Sequence, residues 1–114
     1  MKKLKPLIEA LSAKAVNAPA GWEDRGIKGI FASDLISDIL MTEGESVLLL
    51  TSLLSDQVLR TADMIGAVAI VLVNRKHIPV ALGKAAAKQG LPLFHTPLPK
   101  FECCVRLGHL MESV

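Results

Sequence analysis

The sequence predicts a three-layer α/β/α fold built on a mainly parallel sheet. Three observations carry this. Val47–Leu50 and Ala67–Val73 are unbroken aliphatic runs, which suit strands buried on both faces rather than half-exposed, alternating ones. Between them, over about Ser55–Ile65, the residues Val58, Leu59, Ala62 and Ile65 fall on one helical stripe. A third short run, Leu91–His95, follows a further helical segment. Strand, helix, strand is the signature of parallel pairing. Ala67–Val73 belongs at the centre, because AVAIVLV left on an edge would invite aggregation.

In chain order, Leu4, Leu7, Ile8 and Leu11 recur at helical spacing and predict a helix over about Lys3–Lys14. Ala15–Asn17 is short and extended. Asn17–Asp24 is the most turn-rich stretch, and its Trp22 is expected to fold back over the core. Ile27–Ala32 reads as a strand. Ser33 then offers an N-cap to a short helix that buries Leu35, Ile36, Ile39 and Leu40. After Val73 comes the polar loop Asn74–His77. Pro79 suits a first helical turn and Gly90 a C′ position, with Leu82, Ala85, Ala86 and Gln89 on one face between them. Leu91–His95 is expected as an outer strand, since Pro92 is tolerated there. The last helix, about Pro99–Met111, carries two stripes. Phe101, Cys104, Val105 and Gly108 are assigned to the core. Cys103, Leu107, Leu110 and Met111 are left over.

The 114 residues are enough for one domain with a real core, half of them are apolar, and no linker or repeat divides the chain. A net charge of +2 carries no argument for nucleic acid or membrane binding. No run approaches the ~18 apolar residues of a membrane span, so a soluble, cytoplasmic chain is expected. The two cysteines, Cys103 and Cys104, are adjacent and frame no disulfide.

Three segments carry a family resemblance: ASDLISDIL at Ala32–Leu40, LLLTSLLSDQVLRTADM at Leu48–Met64 and GLPLFHTPLPKFECCVRL at Gly90–Leu107. The pattern Thr51, Gln57, Arg60, Thr61, Ala62, Met64 is its sharpest part. Together they resemble stand-alone proteins of the DRTGG-domain family. That domain is similar to the N-terminal, non-kinase domain of HPr kinase/phosphorylase, and in fold to the N-terminal domain of Mur ligases. The family's TGG would fall near Val73-Asn74-Arg75 and its Asp-Arg pair near Ser52-Leu53, and neither is present. The resemblance implies a regulatory, ligand-sensing module. Related domains sit in regulated pyrophosphatases, and small members are often encoded beside iron-hydrogenase subunits, so a hydrogenase-system protein is the partner it implies.

Catalytic patterns are missing. There is no Gly-x4-Gly-Lys-Ser/Thr phosphate cradle and no Gly-x-Gly-x-x-Gly, so no kinase, no other enzyme and no cofactor is expected. Cys103 and Cys104 project about 100° apart on a helix and do not share a zinc comfortably. His77, His95 and His109 show no metal spacing. Asp34 and Asp38 lie one helical turn apart and read as paired carboxylates, while Ser33, Asp34 and Ser37 read equally well as capping residues and a solvated face.

A ligand site is expected at the carboxyl ends of the parallel strands. Thr51, Ser52 and Ser55, with Gln57, follow the first strand of the central unit. Asn74, Arg75 and Lys76, beside His77, follow the second. Thr96 and Lys100 follow the third. Hydroxyls, basic side chains and a helix N-terminus suit an anion such as a nucleotide or other phosphorylated metabolite. The bland alternative is a solvated loop and a helix cap. The leftover stripe Cys103, Leu107, Leu110 and Met111 predicts a homodimer interface. Two functions stay open: a ligand-sensing regulatory module, or a ligand-free module that dimerises and docks a redox enzyme.

Overall fold

The computed structural model describes residues 1–112. Its framework is a five-stranded sheet. In chain order the chain forms β1 (Lys2–Lys3), α1 (Leu4–Ala10), β2 (Lys14–Asn17), a 3-10 turn (Trp22–Asp24), β3 (Gly26–Ile27) and β4 (Gly29–Ala32). Then follow α2 (Ile36–Leu40), β5 (Val47–Thr51), α3 (Asp56–Ile65), β6 (Ala69–Leu72), α4 (Val80–Gln89), β7 (Leu93–His95) and α5 (Lys100–Glu112). The sheet order is β2-β7-β6-β5-β4. The pairs β4–β5, β5–β6 and β6–β7 are parallel, and β2 pairs antiparallel with β7.

Strand alternation divides the core into two clusters. Leu48, Leu50, Ala69, Val71, Val73 and Phe94 face Leu4, Leu7, Ile8 and Leu11 of the N-terminal segment and Cys103 and Leu107 of α5. Leu49, Ile70, Leu72 and Leu93 face Ile39 of α2, Val58, Leu59 and Ala62 of α3, and Leu82 and Ala86 of α4. The expected three layers are therefore present, and β6 is the central strand. Trp22 packs on Phe94, ring centroids 4.8 Å apart and tilted 55°, and closes the first cluster as a lid.

Four expectations need correction. Leu93–His95 is not an outer strand, because Lys14–Asn17 pairs beyond it and takes the edge. The stretch Ile27–Ala32 is broken at Lys28: β3 pairs with β1, and β4 joins the main sheet. Ser33 does not cap α2. Its hydroxyl accepts from the Leu35 amide at 3.1 Å, the helix begins later, and only Ile39 is fully buried while Leu35 and Leu40 are exposed. In α5 the two stripes are exchanged except at Cys104, which packs against the first cluster as expected. Cys103 and Leu107 are completely buried in the first cluster, Leu110 and Met111 pack against it, and Phe101 is 80% exposed. Cys103 and Leu107 belong to the core of this chain and are not available to a second copy. Both stripes are apolar, and spacing alone does not say which one the sheet selects.

Helix α3 ends at Gly66 in the left-handed region, φ 70°, with its N–H returning to the Ala62 and Asp63 carbonyls. A Cβ there would meet no atom within 4 Å, so the cost of Gly66→Ala is the backbone conformation alone. A loss of about 1 kcal/mol is expected, measured as a lower urea midpoint with unchanged slope.

Candidate functional site

Every parallel strand ends at the same edge, so the loops after β4, β5, β6 and β7 meet there. The first brings Asp34. Its Oδ1 accepts the Ser52 backbone N–H at 2.6 Å and the Thr51 hydroxyl at 3.1 Å, and its Oδ2 accepts Lys100 Nζ at 2.5 Å. Partial burial on its own would raise this carboxyl. The Lys100 ammonium, the Ser52 amide and the neighbouring hydroxyls outweigh it and hold the group well below the usual carboxylate range. Asp34 is thus ionised at neutral pH.

This changes the predicted site. Thr51, Ser52 and Lys100 were expected to receive an external anion, and the chain supplies its own. Thr51 is also fully buried, with its Oγ1 accepting from the Leu53 amide. Asp34 does not cap α2, whose N-cap position is Leu35 without a side-chain bond. Asp34 precedes α2 and ties two loops together, while Asp38 stands in the first turn of the helix.

The second loop is equally engaged. Arg75 Nε donates to the Ser52 carbonyl at 2.9 Å, and the Arg75 amide to the Thr96 carbonyl at 3.0 Å. Asn74 takes φ 56° and its amide bonds the Leu98 carbonyl. Thr96, fully buried, donates its hydroxyl to the Leu11 carbonyl at 2.8 Å and accepts the Leu98 amide. These residues hold the loops in register. Ser55 and Gln57 remain exposed at the start of α3, where Ser55 occupies the N-cap position without a side-chain bond.

Beside this tied half lies a cleft of about 400 Å3, where the ends of β7 and the loop after β6 meet the start of β2. It is lined by Lys14, Lys76, His77 and His95, with Ser12 and Thr96 among the polar groups, and no carboxylate lines it. His95 Nδ1 lies 3.0 Å from the Arg75 carbonyl. A carbonyl only accepts, so Nδ1 carries the hydrogen and Nε2 is the basic nitrogen. Of the predicted ligand residues, Lys76 and Thr96 line the cleft. Ser12, Lys14, His77 and His95, with Pro97 and Leu98, complete it. The sequence places Lys14 at the end of the N-terminal helix, but α1 stops at Ala10, Lys14 opens β2, and the pairing of β2 with β7 brings it to this edge.

Cys103 is a poor nucleophile or ligand. Burial pushes its thiol up to about 11, with Cys104 and Glu102 adding to the rise. Among the described residues, no group of three or more His, Cys, Asp or Glu side chains could hold a metal ion. No described helix is long and apolar enough to cross a membrane.

The fold and its polar edge define a small α/β domain with tied loops and one basic cleft. It is similar to the CBS and DRTGG domains of the regulatory region of Clostridium perfringens pyrophosphatase, solved in complex with that protein's activator, diadenosine tetraphosphate. The TM-score is 0.74 at 13% sequence identity, over 92% of this chain and 45% of that one. This chain therefore spans less than half the length of that structure, and the likeness is one of fold. No family model and no curated protein matches the sequence.

Proposed function

We propose that the chain is a non-catalytic regulatory module of the DRTGG type, which senses a nucleotide or other phosphorylated metabolite at the carboxyl edge of its sheet. The observation that carries this is the cleft at Lys14, Lys76, His77 and His95, basic and free of carboxylates. It lies at the carboxyl end of β7, the edge at which open α/β sheets bind ligands. The shared fold with a regulatory region that binds diadenosine tetraphosphate supports the ligand class.

The test is calorimetry with ATP and diadenosine tetraphosphate on the wild type and on Lys14→Ala/Lys76→Ala. Binding that falls with added salt is expected, about tenfold weaker in the double variant, since a charge-assisted hydrogen bond contributes roughly 1.5 kcal/mol. No heat at millimolar ligand, or equal affinity in the variant, would remove the cleft as a site.

A second reading has its own support. Leu35, Met41, Phe101 and Val105 are exposed apolar side chains, which suits a module that dimerises and docks a partner without any ligand. The partner class implied by the sequence resemblance is a hydrogenase-type redox enzyme. A homodimer is part of both readings.

A further inference from the structure

The two edges of the sheet are treated differently. Edge β2 is protected: it opens on Lys14, carries an irregularity between Ala15 and Asn17, and is covered by α4, whose Gly83 approaches Val16 so closely that a Cβ would lie 3.1 Å from it. Edge β4 has none of these devices. Its sequence is Gly29-Ile30-Phe31-Ala32, it pairs only with β5, and the β1–β3 ladder stops at Ile27. Beside it a groove of about 430 Å3 runs between Ile30 and Ala32 on the strand and Cys104, Gly108 and Met111 on α5.

The free backbone groups of β4 can be assigned. The Ser33 amide donates inward to the Leu50 carbonyl. Backbone groups alternate sides along a strand, so the N–H and C=O of Ile30 and Ala32 point outward. We propose that β4 pairs antiparallel with β4 of a second copy of this chain, giving a continuous ten-stranded sheet. The outward groups select the register. Ile30 faces Ala32 of the second copy, each such pair exchanging both backbone bonds, and Phe31 faces itself on the twofold axis. The backbone of β4 is thus self-complementary in one register, as a closed twofold interface requires. The inference rests on the homodimer and not on the nucleotide, and it replaces the α5 stripe as the seat of the dimer.

Light scattering at micromolar concentration is expected to show twice the 12.2 kDa chain mass. Ala32→Pro deletes an outward donor from each copy and leaves the β5 ladder intact, so it is expected to give a folded monomer. Phe31→Cys places two thiols on the axis with Cα atoms roughly 4.5 Å apart, within reach of a disulfide, and is expected to give a covalent dimer on a non-reducing gel where the wild type gives none. A monomeric wild type would overturn both the dimer and its seat, and would leave the edge to a strand from another protein. A wild-type dimer that survives Ala32→Pro, with no cross-link from Phe31→Cys, would keep the dimer and overturn this interface.

Discussion

Leu107→Glu is expected to unfold the chain, not merely to dissociate it. Leu107 is completely buried in the cluster formed by Leu4, Leu7, Ile8, Leu11 and the sheet residues Leu48, Leu50 and Val71. Truncation to alanine removes three carbons and leaves a cavity, at a cost of about 3 kcal/mol. A glutamate adds a carboxylate with no partner in an apolar site, which costs more than the cavity. Against a typical domain stability of about 5–15 kcal/mol, the alanine variant should remain folded with a lowered midpoint, and the glutamate variant should show no cooperative melt. Phe101→Glu is the contrasting variant on the same helix. Its side chain is 80% exposed, and its stability should change by about 0.5 kcal/mol or less. Urea titration of the three variants decides the matter. A Leu107→Glu protein that melts like the wild type would return this stripe to the surface.

That contrast shows where sequence periodicity stops. The runs around Leu49 and Ile70 are apolar at every position, which admits only a strand covered on both faces, so the layers and the centrality of β6 were legible. The helix end at Gly90 was legible too, because its left-handed conformation, φ 69°, favours glycine. Helix α5 was different. Cys103 and Leu107 compete with Phe101 and Val105 as equally apolar stripes, and the choice depends on how the helix is rolled against α1 and the sheet. The place of β2 was illegible for a related reason. KAVN has little hydrophobic signal, and its pairing with β7 is a contact across almost the whole chain. With β2 unplaced, β7 looked like an edge.

The site followed the same division. Its location at the carboxyl ends of the strands was readable from topology alone. Its occupants were not. The sequence predicts three loops at that edge and not the one after β4, because nothing in Ile27–Ala32 itself names a parallel neighbour. That omitted loop carries Asp34. Polar residues at a sheet edge satisfy one another before they satisfy a ligand, and the sequence does not show which of them are already paired. Lys100 and Asp34 are separated by 66 positions. Only the fold reveals that one half of the edge is closed by its own carboxylate, while Lys76 remains at the other half beside Lys14.

Asp34 gives the second large effect, and one that depends on pH. Asp34→Ala removes the acceptor of the Ser52 amide, the Thr51 hydroxyl and the Lys100 ammonium together. Hydrogen bonds to a charged group contribute more than neutral ones, but the Asp34 side chain is 39% exposed, so water replaces part of what is lost. The expected cost is about 2 kcal/mol after that discount. Asp34→Asn keeps a carbonyl oxygen for the Ser52 amide and should lose about half as much. The folded carboxyl titrates below its unfolded value of about 3.9. Its contribution is therefore fully present above that unfolded value and is lost as the pH falls through the folded one. Between pH 5 and 8 the gap between wild type and Asp34→Asn should be constant. Below about pH 4 it should narrow, because Asp34 of the unfolded wild-type chain then binds a proton that the folded carboxyl still refuses. Lys100→Met should behave likewise, since it deletes the cation that keeps Asp34 charged. Urea midpoints for the three proteins across this range test the assignment. A gap that stays constant into strong acid would mean that the ionisation of Asp34 does not hold the loops together, and that the bond between Asp34 and the Ser52 amide does so without it.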